Sequence, residues 1–177
     1  MAQILAFAGS NSSSSINYQL VKYTAGLVDN HSITMLDLAK YPFAMYSSDV
    51  EQKEGYSNSL IELKNDIQKA DGIILSVNEH NGNLSAYFKN VLDWLSRLER
   101  NFLAETNILL MSTSPGGRGG VGALEFANSM LPRFGAKIQS TFSLPSFSNN
   151  FSGSNGILDA DLSKAHDIAL KTFLNSL

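Results

Sequence analysis

Apolar runs of strand length alternate with segments whose apolar residues recur at helical spacing, and this alternation limits the possible folds more than any other feature of the chain. Residues 4–8, 33–38, 72–77, 108–111 and 137–144 read as strands. The run 72–77 shows almost no polar alternation, as expected of a strand covered on both faces. Between the strands, apolar residues repeat at steps of three and four: Ile16, Leu20, Tyr23 and Leu27; Leu60, Leu63, Ile67 and Ala70; Leu84, Phe88, Val91, Leu95 and Leu98; and Leu124, Ala127, Leu131 and Phe134. Each set marks a helix that buries one stripe. Residues 158–174 form a closing helix, and residues 39–56, aperiodic and holding Pro42, read as a long loop of the kind that serves as a lid or binding wall. Strands alternating with helices imply an α/β three-layer sandwich: a five-stranded parallel sheet wrapped on both faces. With 177 residues the expected strand order is 2-1-3-4-5, in one domain spanning 1–177.

In such a sheet, ligands bind beyond the carboxyl ends of the strands where the strand order reverses. That rule selects the loops after the first, third and fourth strands, and all three have unusual composition. The first carries Gly9, Ser10, Asn11, Ser12, Ser13, Ser14, Ser15, Ile16 and Asn17 into a helix. Its N–H groups and hydroxyls suit a phosphate, with Gly9 allowing close approach; equally, they suit a serine cap and a plain turn. The second is Asn78-Glu79-His80-Asn81-Gly82, a polar turn. The third is Ser114-Pro115-Gly116-Gly117-Arg118-Gly119-Gly120, whose glycines expose main-chain amides to the edge of a flat ring or simply make a flexible loop.

Composition narrows the chemistry. The chain has no cysteine, which excludes disulfides, thiolate nucleophiles and thiolate metal sites. Its 3 histidines are scattered, so no metal site is expected; His31 and His166 read as surface residues. No G-x-S-x-G elbow is present for a serine hydrolase. Residues 117–122 fit G-x-G-x-x-G, but after the fourth strand and with no acidic ribose ligand following the next one. A net charge of −3 without a basic face argues against nucleic acid, and no apolar run reaches membrane-spanning length. A cytoplasmic protein is expected.

Taken in order, the loops resemble the NADPH-dependent FMN reductase family, which includes quinone, azo-dye and chromate reductases. Gly9, Ser10, Ser15 and Asn17 match its phosphate loop; Glu79-His80-Asn81-Gly82 followed by Phe88-Lys89-Asn90-Val91-Leu92-Asp93-Trp94-Leu95-Ser96-Arg97 matches its second motif; and Ser114–Gly120 its third. Two positions depart from the pattern: the phosphate-loop arginine is Ser12, and the proline before the glutamate is Asn78. The resemblance implies a flavodoxin-like fold and an NAD(P)H oxidoreductase, with NADPH or NADH as co-substrate and a homodimer or tetramer as assembly. It places the FMN phosphate on Ser10, Ser12, Ser15, Ile16 and Asn17, the isoalloxazine along Asn78–Asn81, and its pyrimidine end under Ser114, Pro115, Gly116, Gly117 and Gly119. No side chain is expected to act as catalyst, because the flavin carries the chemistry. The helix 88–97 is expected to support the fold, with Trp94 in the core or at a subunit interface. The competing expectation is a non-catalytic electron carrier or flavin-binding regulator of the same fold.

Overall fold

The computed structural model describes residues 1–177. In chain order it contains β1 (Gln3–Ala8), α1 (Ile16–Gly26), β2 (Ser32–Leu36), a 3-10 turn (Leu38–Lys40), α2 (Ser48–Glu54), α3 (Asn58–Lys69), β3 (Gly72–Val77), β4 (Glu79–His80), β5 (Asn83–Leu84) and α4 (Ala86–Leu98). There follow β6 (Asn107–Thr113), α5 (Val121–Met130), a 3-10 turn (Leu131–Phe134), β7 (Lys137–Leu144), α6 (Phe147–Asn150), β8 (Phe151–Ser152), β9 (Gly156–Ile157) and α7 (Ala160–Leu174). The main sheet has 5 strands in the order β2-β1-β3-β6-β7, every neighbouring pair parallel. This is the order 2-1-3-4-5 of the expected three-layer sandwich.

Alternation within the strands splits the core in two. Leu5, Phe7, Ile73, Leu75, Val77, Ile108 and Leu110 pack on one face with α3, α4 and α5. Ile4, Ala6, Ala8, Ile74, Leu109 and Met111 pack on the other, against residues of α1 and α7 such as Leu20, Val21, Leu170 and Phe173. Every residue of β3 is buried, which is why its sequence shows no polar alternation.

Several local expectations shift. β2 stops at Leu36, because the Asp37 carboxylate accepts the Ala39 N–H and starts a 3-10 turn. Leu27 caps α1 and is 43 % exposed, and Leu84 belongs to β5 rather than to a helix. The loop 146–155 holds α6 and one strand of the β8–β9 hairpin. His166, expected at the surface, is fully buried: its Nε2 lies 2.8 Å from the Thr24 hydroxyl, with Tyr23 tilted against the ring and Phe142 edge-on to it. A lone histidine on an amphipathic helix carries no mark of which face it takes, so only packing decides.

The segment 39–56 is also not what its composition suggests. It contains α2, and none of its residues reaches the groove described below; it is strapped along α4. Tyr87, Asn90, Trp94 and Arg97 lie three or four residues apart on one face of α4. The Tyr87 hydroxyl reaches the carbonyls of Leu38 and Tyr41, and the Asn90 amide bonds both Tyr46 N–H and Ala44 O. Trp94 Nε1 donates to Ala44 O at 2.8 Å. Arg97 pairs with both oxygens of Glu51, which also accept the hydroxyls of Tyr46 and Tyr56. The helix 88–97 thus supports the fold as expected, and Trp94, 5 % exposed, lies beneath the strap.

Candidate functional site

The loops that leave β1, β3 and β6 come together around one open, shallow groove of about 210 Å³. Ser10, Ser12, Ser15, Ile16, Asn17, Asn78, Glu79, His80, Ser114 and Pro115 all line it, as the sequence suggested, and Ser14 and Thr113 join them. Both additions sit beside residues already singled out, so the carboxyl-end rule was the signal that could have found them.

The first loop is a set of donors. Ser15 caps α1 by accepting the Tyr18 N–H at 3.1 Å, and Ser10 and Ser12 accept the N–H groups of Ser12 and Ser14. The main-chain N–H groups of Asn11, Ser13, Ile16 and Asn17 have no partner within the chain. Unpaired amides at the positive end of an 11-residue helix, with serine hydroxyls around them, are the elements of a phosphate site. No lysine or arginine lines the groove.

Two residues of this loop serve the scaffold. Gly9 does not make room for a ligand: a Cβ there would lie 2.5 Å from the Phe88 ring. The Asn17 side chain is 2 % exposed and committed inward. Its Oδ1 accepts the Ser76 hydroxyl at 2.7 Å and the Thr113 N–H at 3.0 Å, while its Nδ2 donates to Thr113 O at 3.1 Å. One amide therefore ties α1 to the ends of β3 and β6 and sets the spacing of the loops. Of Asn17, only the main-chain N–H is left for a phosphate.

The second loop is a tight hairpin. Asn81 and Gly82 both have positive φ (53° and 74°) and link β4 to β5, the geometry that Asn-Gly favours. Neither lines the groove. Glu79 points its carboxylate at the start of α5, where Oε2 accepts the Ala123 N–H at 3.0 Å. A Cβ on Gly122 would collide with that carboxylate and with Gly82 O, so this glycine lets helix and hairpin meet. The N-cap position of α5 is Gly120, which has no side chain to offer, and Glu79 takes that role from a distance. The positive end of α5 is accordingly occupied by a protein carboxylate.

In the third loop several carbonyls are occupied while three successive amides are not. Ser114 O and Gly116 O accept from Phe147 and Ser146, and Gly119 O takes the hydroxyls of Ser112 and Ser143. The N–H groups of Gly116, Gly117 and Arg118 have no partner in the chain. Gly116 and Gly117, also expected at the cofactor, do not line the groove; they are exposed beyond Pro115 with their donors facing solvent. Gly119, by contrast, is buried at φ 62° with a Cβ position inside Ser143, so it is a hinge of the loop and not a ligand contact. The Asn78 side chain faces His80 through Nδ2 at 3.2 Å, and its Oδ1 is buried with no partner at all.

Comparison with known proteins agrees with this geometry. A model of the NADPH-dependent FMN reductase family matches residues 2–148. The chain is 37% identical over 76 residues to a quinone reductase of Escherichia coli K12, a match to 43% of this chain that spans only 40% of that protein. It is 29% identical over 112 residues to an NADPH azoreductase of Bacillus sp. OY1-2, covering 63% of this chain and 58% of that one. FerB, a flavoenzyme NAD(P)H:(acceptor) oxidoreductase from Paracoccus denitrificans, aligns with a TM-score of 0.76 and 20% identity over 99% of this chain and 96% of its own. Flavodoxin 1 from Bacillus cereus aligns at 0.62 with 16% identity, over 99% of this chain and 98% of its own. At these identities the structural likeness establishes a flavodoxin-like fold. The family model covers the first and third loops and all of the second motif through Arg97, and the chain belongs to the NADPH-dependent FMN reductase family.

Proposed function

We propose that the chain holds FMN in the groove and passes reducing equivalents from NADPH or NADH to a small acceptor such as a quinone, an azo compound or free flavin. One observation carries this reading: three loops from neighbouring strand ends surround a single groove, with phosphate-type donors along the first loop and, just beyond Pro115 at its edge, the unpaired amides of Gly116 and Gly117. The donor set fits the group. The hydroxyls of Ser10, Ser12, Ser14 and Ser15 and the N–H groups of Ser13, Ile16 and Asn17 hold the phosphate. The amides of Gly116 and Gly117 would serve the carbonyl edge of the ring, and the turn from Asn78 to His80 would flank it.

When bound, FMN supplies the two-electron relay between nicotinamide and acceptor. The protein contributes binding and orientation. Its free amides at the ring edge favour negative charge there without needing to rearrange. Since Glu79 already occupies the end of α5, this stabilisation comes from the loop amides themselves.

Adding FMN to the apoprotein is expected to shift flavin absorbance and raise the melting temperature. The reconstituted protein is then expected to oxidise NADPH or NADH when a quinone is present. Absence of FMN binding overturns the assignment; binding without turnover makes the protein an electron carrier instead. We further propose that it works as a homodimer or tetramer in the cytoplasm. The assembly is what the resemblance to the family implies. No helix is long and apolar enough to cross a membrane. A monomeric mass by light scattering at micromolar concentration overturns the assembly.

A further inference from the structure

Position 78, an asparagine where the family's motif has proline, holds polar groups that nothing in the protein satisfies. A proline has no N–H and no polar side-chain atom, whereas asparagine supplies both. The Asn78 carbonyl accepts the Ser85 N–H at 3.2 Å, closing the base of the β4–β5 hairpin, and its Nδ2 faces His80 Nε2. Two groups are left over. The Asn78 N–H has no partner in the chain, and Oδ1 is buried without a hydrogen bond. Only one other buried side-chain atom is orphaned in this way, His166 Nδ1, and that residue does not border the groove. A buried amide oxygen without a donor costs folding free energy, and it persists where a ligand brings the missing donor.

We propose that the Asn78 side chain is a cofactor-contacting residue particular to this chain: its Oδ1, sealed inside the protein in the ligand-free fold, turns into the groove and accepts a hydrogen bond from an N–H or O–H of bound FMN. This rests on the FMN reading above and extends it. FMN carries such donors on its ring imide and on its ribityl chain, both outside the phosphate. The contact offsets part of the hold lost where Ser12 stands in place of the family's arginine. It also shifts recognition away from the phosphate and toward the parts that FMN shares with riboflavin.

The test is flavin affinity of the apoprotein, read by quenching of flavin fluorescence, together with the melting temperature of the ligand-free protein. Asn78→Ala is expected to weaken FMN binding by about three- to tenfold, the range for one neutral hydrogen bond. Riboflavin is expected to lose affinity by a similar factor, because the contact does not involve the phosphate. Asn78→Pro, which installs the family's residue, is expected to weaken both flavins as well. The ligand-free Ala variant is expected to melt no lower than the parent, since an unsatisfied acceptor has been removed. A structural role predicts the reverse: lower melting with unchanged affinity, and that result overturns the proposal. Parent and both variants binding FMN equally overturns it too while leaving the FMN reading intact. A parent protein that binds neither flavin overturns both.

Discussion

At the scale of single residues, several positions that look like ligand contacts in the sequence turn out to hold the loops in place. Asn17 is the clearest, because its amide links Ser76 and Thr113 across the sheet end. Asn17→Ala strands those partners in the interior and is expected to cost about 1–3 kcal/mol in urea denaturation, with weaker FMN binding as the loops lose their spacing. Gly9 is set by the Phe88 ring, so Gly9→Ala forces overpacking and is expected to cost about 1–3 kcal/mol by the same measurement. These roles were hidden because a sequence shows which groups can donate or accept, and only the fold shows which are already taken. Ser15 was legible as a helix cap, and Asn81-Gly82 as a turn, since both depend on neighbours in the chain.

At the scale of elements, the strap 39–56 and helix α4 form one unit. α2 buries none of its residues, so it has no apolar stripe and its sequence reads as loop. Asp49 and Glu51 in its first turn were the available signal. Glu51 is held well below the usual carboxylate range, at about 2, first by the Arg97 guanidinium and then by the Tyr56 and Tyr46 hydroxyls. A lowered carboxylate favours the docked strap above the ordinary value near pH 4.5, and that contribution is lost as pH falls through about 2. Docking is thus expected to be insensitive to pH from 5 upward. Arg97→Ala is expected to speed amide exchange in 44–56 by roughly two- to fivefold, as loss of one ion pair exposed on its arginine side would. Trp94, the chain's only tryptophan, donates to the strap and reports the same change as a red-shifted emission. Unchanged exchange and emission would show that the remaining bonds to Asn90 and Trp94 suffice.

At the scale of the whole molecule, His166 couples global stability to pH. Burial lowers its pKa to about 4, with the Asp167 carboxylate acting weakly in the other direction. The unfolded chain takes up that proton near pH 6.5, whereas the folded one resists it until about pH 4. Stability is therefore full above pH 6.5 and falls as the pH drops toward 4, by up to about 3 kcal/mol. His166→Gln, which can still bond Thr24, is expected to flatten this dependence between pH 7.5 and 4.5 in urea titrations. A variant as pH-sensitive as the parent would move the origin of the effect elsewhere.

The sequence alone determined the layers and the strand order, because continuous apolar runs, helical stripes and right-handed crossovers leave few arrangements. It also pointed to the candidate site, since ligands gather at the carboxyl ends of strands beside the reversal of order, and three unusual loops fall there. The tertiary structure decided which groups in those loops are free. Asn17, Glu79 and Gly119 are spent on the scaffold, while the amides of Ser13, Ile16, Gly116 and Gly117 and the buried Asn78 oxygen are left without partners. Hydrogen bonds between residues far apart in the chain make that division, and their partners meet only once the sheet has formed.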